Sequence, residues 1–73
     1  MPRETWVISG TIDDVPHYLT FFLGGERASW VACLVDVTLC FDSEGESAGY
    51  LESVKQSGLA HAIGVRNLKT EQV

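Results

Sequence analysis

From Thr5 to Ile12 the chain reads TWVISGTI, and the apolar side chains of Trp6, Ile8 and Ile12 fall on alternate positions interrupted at Gly10. Alternate residues of a strand point to opposite faces, so this spacing predicts a strand with one shared apolar face. A glycine within that face marks a bulge or the close approach of another segment. Asp13-Asp14-Val15-Pro16 then reads as a turn. Asp side chains bond to nearby backbone in turns, and proline fixes φ while removing a donor. His17 to Leu23, HYLTFFL, is a second strand. The two form an antiparallel hairpin with a loop of about four residues. In the second strand Leu19, Phe21 and Leu23 share one face, Tyr18 and Phe22 the other.

The double glycine and charges of Gly24-Gly25-Glu26-Arg27 predict a loop. In the apolar run Trp30 to Phe41, Val35, Val37, Leu39 and Phe41 alternate with Asp36, Thr38 and Cys40, the pattern of a half-buried strand. Trp30 to Leu34 is apolar throughout and fits either a buried strand or an irregular core segment. A helix follows from Asp42-Ser43-Glu44-Gly45-Glu46, where Ser43 and Glu46 have capping-box spacing and the acidic residues complement the positive end of the helix dipole. Its apolar stripe is Ala48, Leu51 and Val54 with Tyr50 beside them, Lys55 lies near its end, and Gly58 is a natural stop. Ala60 to Leu68, with Ile63 and Val65 alternating, predicts a last strand, and Lys69 to Val73 a frayed polar tail.

The expected fold is therefore α+β. A small antiparallel sheet of three to four strands carries one helix on one face, in a single domain spanning 1–73. One helix covers one sheet face. The second strand is apolar on both, whereas a solvated face normally carries polar residues. The second face is thus expected to be covered, most simply by another copy in a homodimer. The alternatives are a heterologous partner or the Trp30 to Leu34 segment folding over that face.

A chain of 73 residues buries only about 60% of the surface it exposes when unfolded, so its stability is expected to be marginal without a crosslink, a metal or a partner. Cys33 and Cys40 are too far apart for a CxxC pair and read as buried thiols acting as small hydrophobes. The apolar start has no signal-peptide h-region and no apolar run is long enough for a transmembrane helix, so a cytoplasmic location is expected.

Ten carboxylates against five Lys and Arg give a net charge of −5. This argues against direct nucleic-acid binding and fits a soluble protein that meets a basic surface. No catalytic or metal constellation emerges. His17 and His61 are two ligands without a third, and none of the serines lies in a GxSxG elbow. Asp13 with Asp14, and Asp42 with Glu44 and Glu46, could do acid–base work, but a turn and a helix start account for them. No enzyme activity and no cofactor are expected. Asp13, Asp14, Asp42, Glu44 and Glu46 are the candidate partner-binding residues, with Trp30 a candidate interface anchor.

Trp6-Val7-Ile8, Tyr18-Leu19, Trp30, Phe41-Asp42-Ser43, Ala48 and Ile63-Gly64-Val65 follow one another along the chain. On these residues, from Trp6 to Leu68, the chain resembles the small ββαβ proteins encoded by phages and other mobile elements. Val31 to Leu39 is more apolar here than in that pattern. Some small acidic members of the group inhibit host defence, anti-CRISPR proteins among them, by binding a nuclease or surveillance complex. The resemblance implies a stoichiometric inhibitor of a larger protein or nucleoprotein complex with a basic surface. The alternative is a homo-oligomeric structural or regulatory protein.

Overall fold

A computed structural model describes residues 4–23, 26–33 and 38–73. Strands β1 (Trp6–Ile12), β2 (Val15–Leu23) and β3 (Arg27–Val31) are followed by helices α1 (Glu44–Ser57) and α2 (Leu59–Ala62) and by strand β4 (Arg66–Gln72). The strands form one antiparallel sheet in the order β3-β2-β1-β4. The expected α+β architecture is present, with four strands and α1 packed on one face.

The β1–β2 hairpin is tighter than its sequence suggests. Ile12 pairs directly with Val15, leaving only Asp13 and Asp14 in the turn, with φ of 52° and 65°. Two successive left-handed residues match the twist of the flanking strands, and Asp tolerates that region better than most residues. Pro16 lies inside β2, opposite Thr11. Only alternate antiparallel pairs exchange hydrogen bonds, and pairing with β3 begins at Tyr18. The missing N–H therefore breaks no ladder bond.

The pairing of β2 with β3 shifts between Leu19 and Phe21, so Thr20 is an extra residue on β2. This bulge reverses the expected division of faces. Leu19 and Phe22 both face α1, whereas Phe21 and Leu23 turn away and stay 41% and 48% exposed. Leu39 N–H donates to the Leu19 carbonyl at 3.1 Å, and Trp6 and Phe41 exchange backbone hydrogen bonds of 2.9 and 2.8 Å. The second half of the expected strand over 30–41 thus contributes an isolated bridge at Phe41, and β3 ends at Val31. Residues 34–37 of that expected strand lie outside the described residues.

Helix α1 starts where the capping pattern places it. Glu46 N–H donates to Ser43 Oγ at 3.2 Å, and the Glu46 carboxylate accepts from Asp42 N–H at 3.3 Å. Gly58, with φ of 74°, ends it and donates to the Lys55 carbonyl. The buried stripe is Ser47, Leu51 and Val54, with Tyr50 half-buried beside it. Ala48 is exposed, not part of the stripe. Ser47 takes the inward position because its hydroxyl is satisfied by the Glu44 carbonyl at 2.8 Å.

The last strand lies further along than expected. Leu59–Ala62 is a short helix, Ile63 is 54% exposed, and Gly64, with φ of 82°, interrupts the alternation that suggested a strand. The residues expected to fray form β4 instead, pairing Trp6 with Gln72, Val7 with Glu71, Ile8 with Thr70 and Ser9 with Lys69. An edge strand is held by its backbone ladder and is commonly charged, so its polar sequence concealed it. Opposite Gly10, β4 carries a bulge with Asn67 at φ 55°.

The core between α1 and the sheet is Ile8, Leu19, Leu51, Val54, Ala60 and Val65. Tyr50 closes one side, its ring centroid 5.5 Å from that of Phe22 and 5.1 Å from that of Phe41. Cys33 and Cys40 are free and exposed rather than buried, and Cys40 Sγ donates to the Thr38 carbonyl.

Candidate functional site

Two surfaces are candidates for function: the acidic end of the molecule and the sheet face away from α1. The acidic end is assembled by the Trp6–Phe41 bridge. Because that pairing is antiparallel, the residues before Trp6 run alongside those after Phe41. Glu4 is thereby brought to the same end as Asp42, Glu44 and Glu46, and all four are exposed. Glu4 accepts from Trp6 Nε1 at 3.2 Å. Glu46 is held by its cap bond, whereas Glu44 is exposed in the first turn of α1 and makes no ion pair among the described residues.

Asp13 and Asp14 are at the other end, at the hairpin tip, so the structure does not bring the two acidic sets together. They line a concavity of about 380 Å³ with Thr11, Gly64, Arg66 and Asn67. Arg66 lines the same concavity, and the left-handed backbone of the two aspartates gives them a structural role in the turn.

Trp30 is half-buried and packs against the core, with its indole nitrogen buried and unpartnered. It contacts the core from β3 and keeps part of its surface open. His17, on β2, holds the Val15 carbonyl at 2.8 Å through Nδ1, and His61 is exposed on α2. Among the described residues no group of three or more His, Cys, Asp or Glu is placed to hold a metal ion, and no helix is long and apolar enough to cross a membrane.

The sheet face away from α1 contains a groove of about 300 Å³ lined by Ser9, Thr11, Pro16, Tyr18, Lys69 and Glu71, with Asn67 at one end. Ser9 pairs with Tyr18 on β2 and with Lys69 on β4, so these three side chains form one row across three strands. Directly opposed Cβ atoms in such a row lie about 5 Å apart. Asn67 Nδ2 donates to Thr11 Oγ1 at 3.1 Å, and that hydroxyl donates to the Arg66 carbonyl at 3.3 Å. Ser9 is 3% exposed, and its Oγ has no hydrogen-bond partner. Further along this face are Phe21 and Leu23, with the Arg27 guanidinium 5.7 Å above the Phe21 ring.

Sequence reasoning missed this row. Its β1 half was visible in the alternation of Val7, Ser9 and Thr11 against Ile8. Its β4 half was hidden in the polar tail. Set against known proteins, the chain matches no family, no curated protein and no solved structure.

Proposed function

We propose that this protein is a non-catalytic binding module that engages a larger partner carrying a basic surface. The observation that supports the reading best is the gathering of Glu4, Asp42, Glu44 and Glu46 at one end of a chain whose net charge is −5. A localised negative field speeds encounter with a basic surface and suppresses wrong partners. The narrower form of the proposal, a stoichiometric inhibitor of a host-defence complex, draws on the sequence resemblance together with the small size and the acidic end.

The test is capture from host lysate on the tagged protein at about 50 and about 300 mM salt, which spans strong and weak screening. The proposal expects a single basic protein or nucleoprotein assembly, retained at the lower salt and diminished at the higher. Capture of no such assembly at the lower salt speaks against it.

A second reading, self-association, is favoured by the exposed Phe21 and Leu23 beside the outer strand β3. Two large apolar side chains on one face are what a second copy would cover. A monomer mass in solution, unchanged over a wide concentration range, would set this reading aside.

A further inference from the structure

We infer that the groove across β4, β1 and β2 is a binding site for a small monocarboxylate with an apolar body, its carboxylate held by Lys69, Ser9 and Tyr18. The site is separate from the acidic end and does not depend on the partner proposed for it.

A buried hydroxyl without a partner is unfavourable, and native structures pair nearly all such groups. Ser9 Oγ lies beneath the groove, in the central strand, and is unpaired. Its immediate cross-strand neighbours are also unspent. Among the described residues Lys69 makes no ion pair, although Glu71 stands two residues away on the same strand face. Among the same residues the Tyr18 hydroxyl makes no hydrogen bond. By contrast, the hydroxyl of Thr11, one step along, is satisfied from both sides. Within the groove the free donors therefore fall in one row: an ammonium, a buried hydroxyl and a phenol.

That donor set selects the ligand. Three donors of which one is cationic match the two oxygens of a carboxylate. Glu71, bordering the groove, disfavours a second negative charge, which points to a monocarboxylate. The Pro16 ring and the Tyr18 ring supply an apolar wall for the rest of the molecule. A volume of about 300 Å³ sits at the lower end of small-molecule sites, which are concave and carry a few convergent polar groups. Turning Ser9 about χ1 between staggered wells is enough to change which side of the row its hydroxyl addresses.

The test is a titration of isotope-labelled full-length protein, followed by amide chemical shifts, with benzoate and with benzamide as its uncharged counterpart. Benzoate is expected to give saturable shifts centred on Ser9, Thr11, Tyr18 and Lys69 below about 10 mM, in the range of weak small-ligand affinity. Benzamide is expected to bind at least about tenfold more weakly. Lys69→Gln, an exposed position, is expected to weaken benzoate at least about fivefold and leave the spectrum otherwise folded. Ser9→Ala is expected to weaken benzoate while melting no lower than the parent, because it removes an unpaired buried hydroxyl. No saturable shift, equal binding of benzamide, or unchanged affinity in Lys69→Gln overturns the inference. A free C-terminal carboxylate on an acetylated tripeptide that binds more tightly than benzoate assigns the site to polypeptide ends and overturns the small-molecule assignment.

Discussion

Gly10 and Val65 occupy the same space so nearly that a β-carbon on Gly10 would collide with Val65 Cγ1 and lie 3.1 Å from the Arg66 carbonyl oxygen. The β4 bulge at Asn67 is what draws the chain in this closely. Gly10→Ala is therefore expected to destabilise the fold by about 2 kcal/mol, as overpacking of a well-filled core does. Urea denaturation of the two proteins measures it. An unchanged midpoint would mean that β4 does not approach β1 in this way.

The hairpin tip carries two non-glycine residues at positive φ. Asp14→Gly relieves one of them, in the turn type that favours glycine at its second position, and is expected to stabilise by about 0.5 kcal/mol. Asp14→Val, β-branched, is expected to destabilise by about 1 kcal/mol or more. Thermal melting of the pair reads both signs.

Ser43 closes α1 through the Glu46 amide. Ser43→Ala is expected to cost about 1 kcal/mol. The Glu46 carboxylate bonds back to Asp42 N–H, so Glu46→Ala is expected to destabilise in the same direction by a smaller amount. Denaturation midpoints of the two single variants and the double variant measure the coupling between these bonds.

Deleting residues 69–73 removes most of the β1–β4 ladder, including the Val73 amide bond to the Thr5 carbonyl at 2.9 Å. The shortened chain is expected to lose its cooperative melting transition. In the full-length protein, ladder amides of Lys69 to Gln72 are expected to exchange slowly with solvent, on the scale of core strands. Fast exchange there, with a truncated chain that still melts cooperatively, would describe a frayed tail.

The elements whose side chains carry a local physical signal were legible in the sequence. Ser43, Glu46 and Gly58 fixed the ends of α1, and Gly10 announced a close approach. What escaped were features that leave no side-chain pattern. The bulge at Thr20 shifts β2 by one residue and moves Phe21 and Leu23 to the face opposite Leu19. The strand β4 is held by backbone bonds along a polar segment, so periodicity took Ile63 and Val65 for the strand instead. The candidate site followed the same division. The acidic residues at the start of α1 were visible, but their meeting with Glu4 depends on the single bridge between Trp6 and Phe41. The Ser9–Tyr18–Lys69 row depends on the register of β4.

If the acidic end mediates recognition of a basic partner, its charges govern capture of that partner. The parent and a Glu4→Gln/Asp42→Asn/Glu44→Gln variant, matched for melting temperature, are used to capture the same assembly at low salt. The account expects capture by the variant to fall at least about fivefold, with the salt dependence flattened, because the charges that steer the encounter are gone. Equal capture with an unchanged salt dependence would contradict it and move recognition away from that end of the molecule.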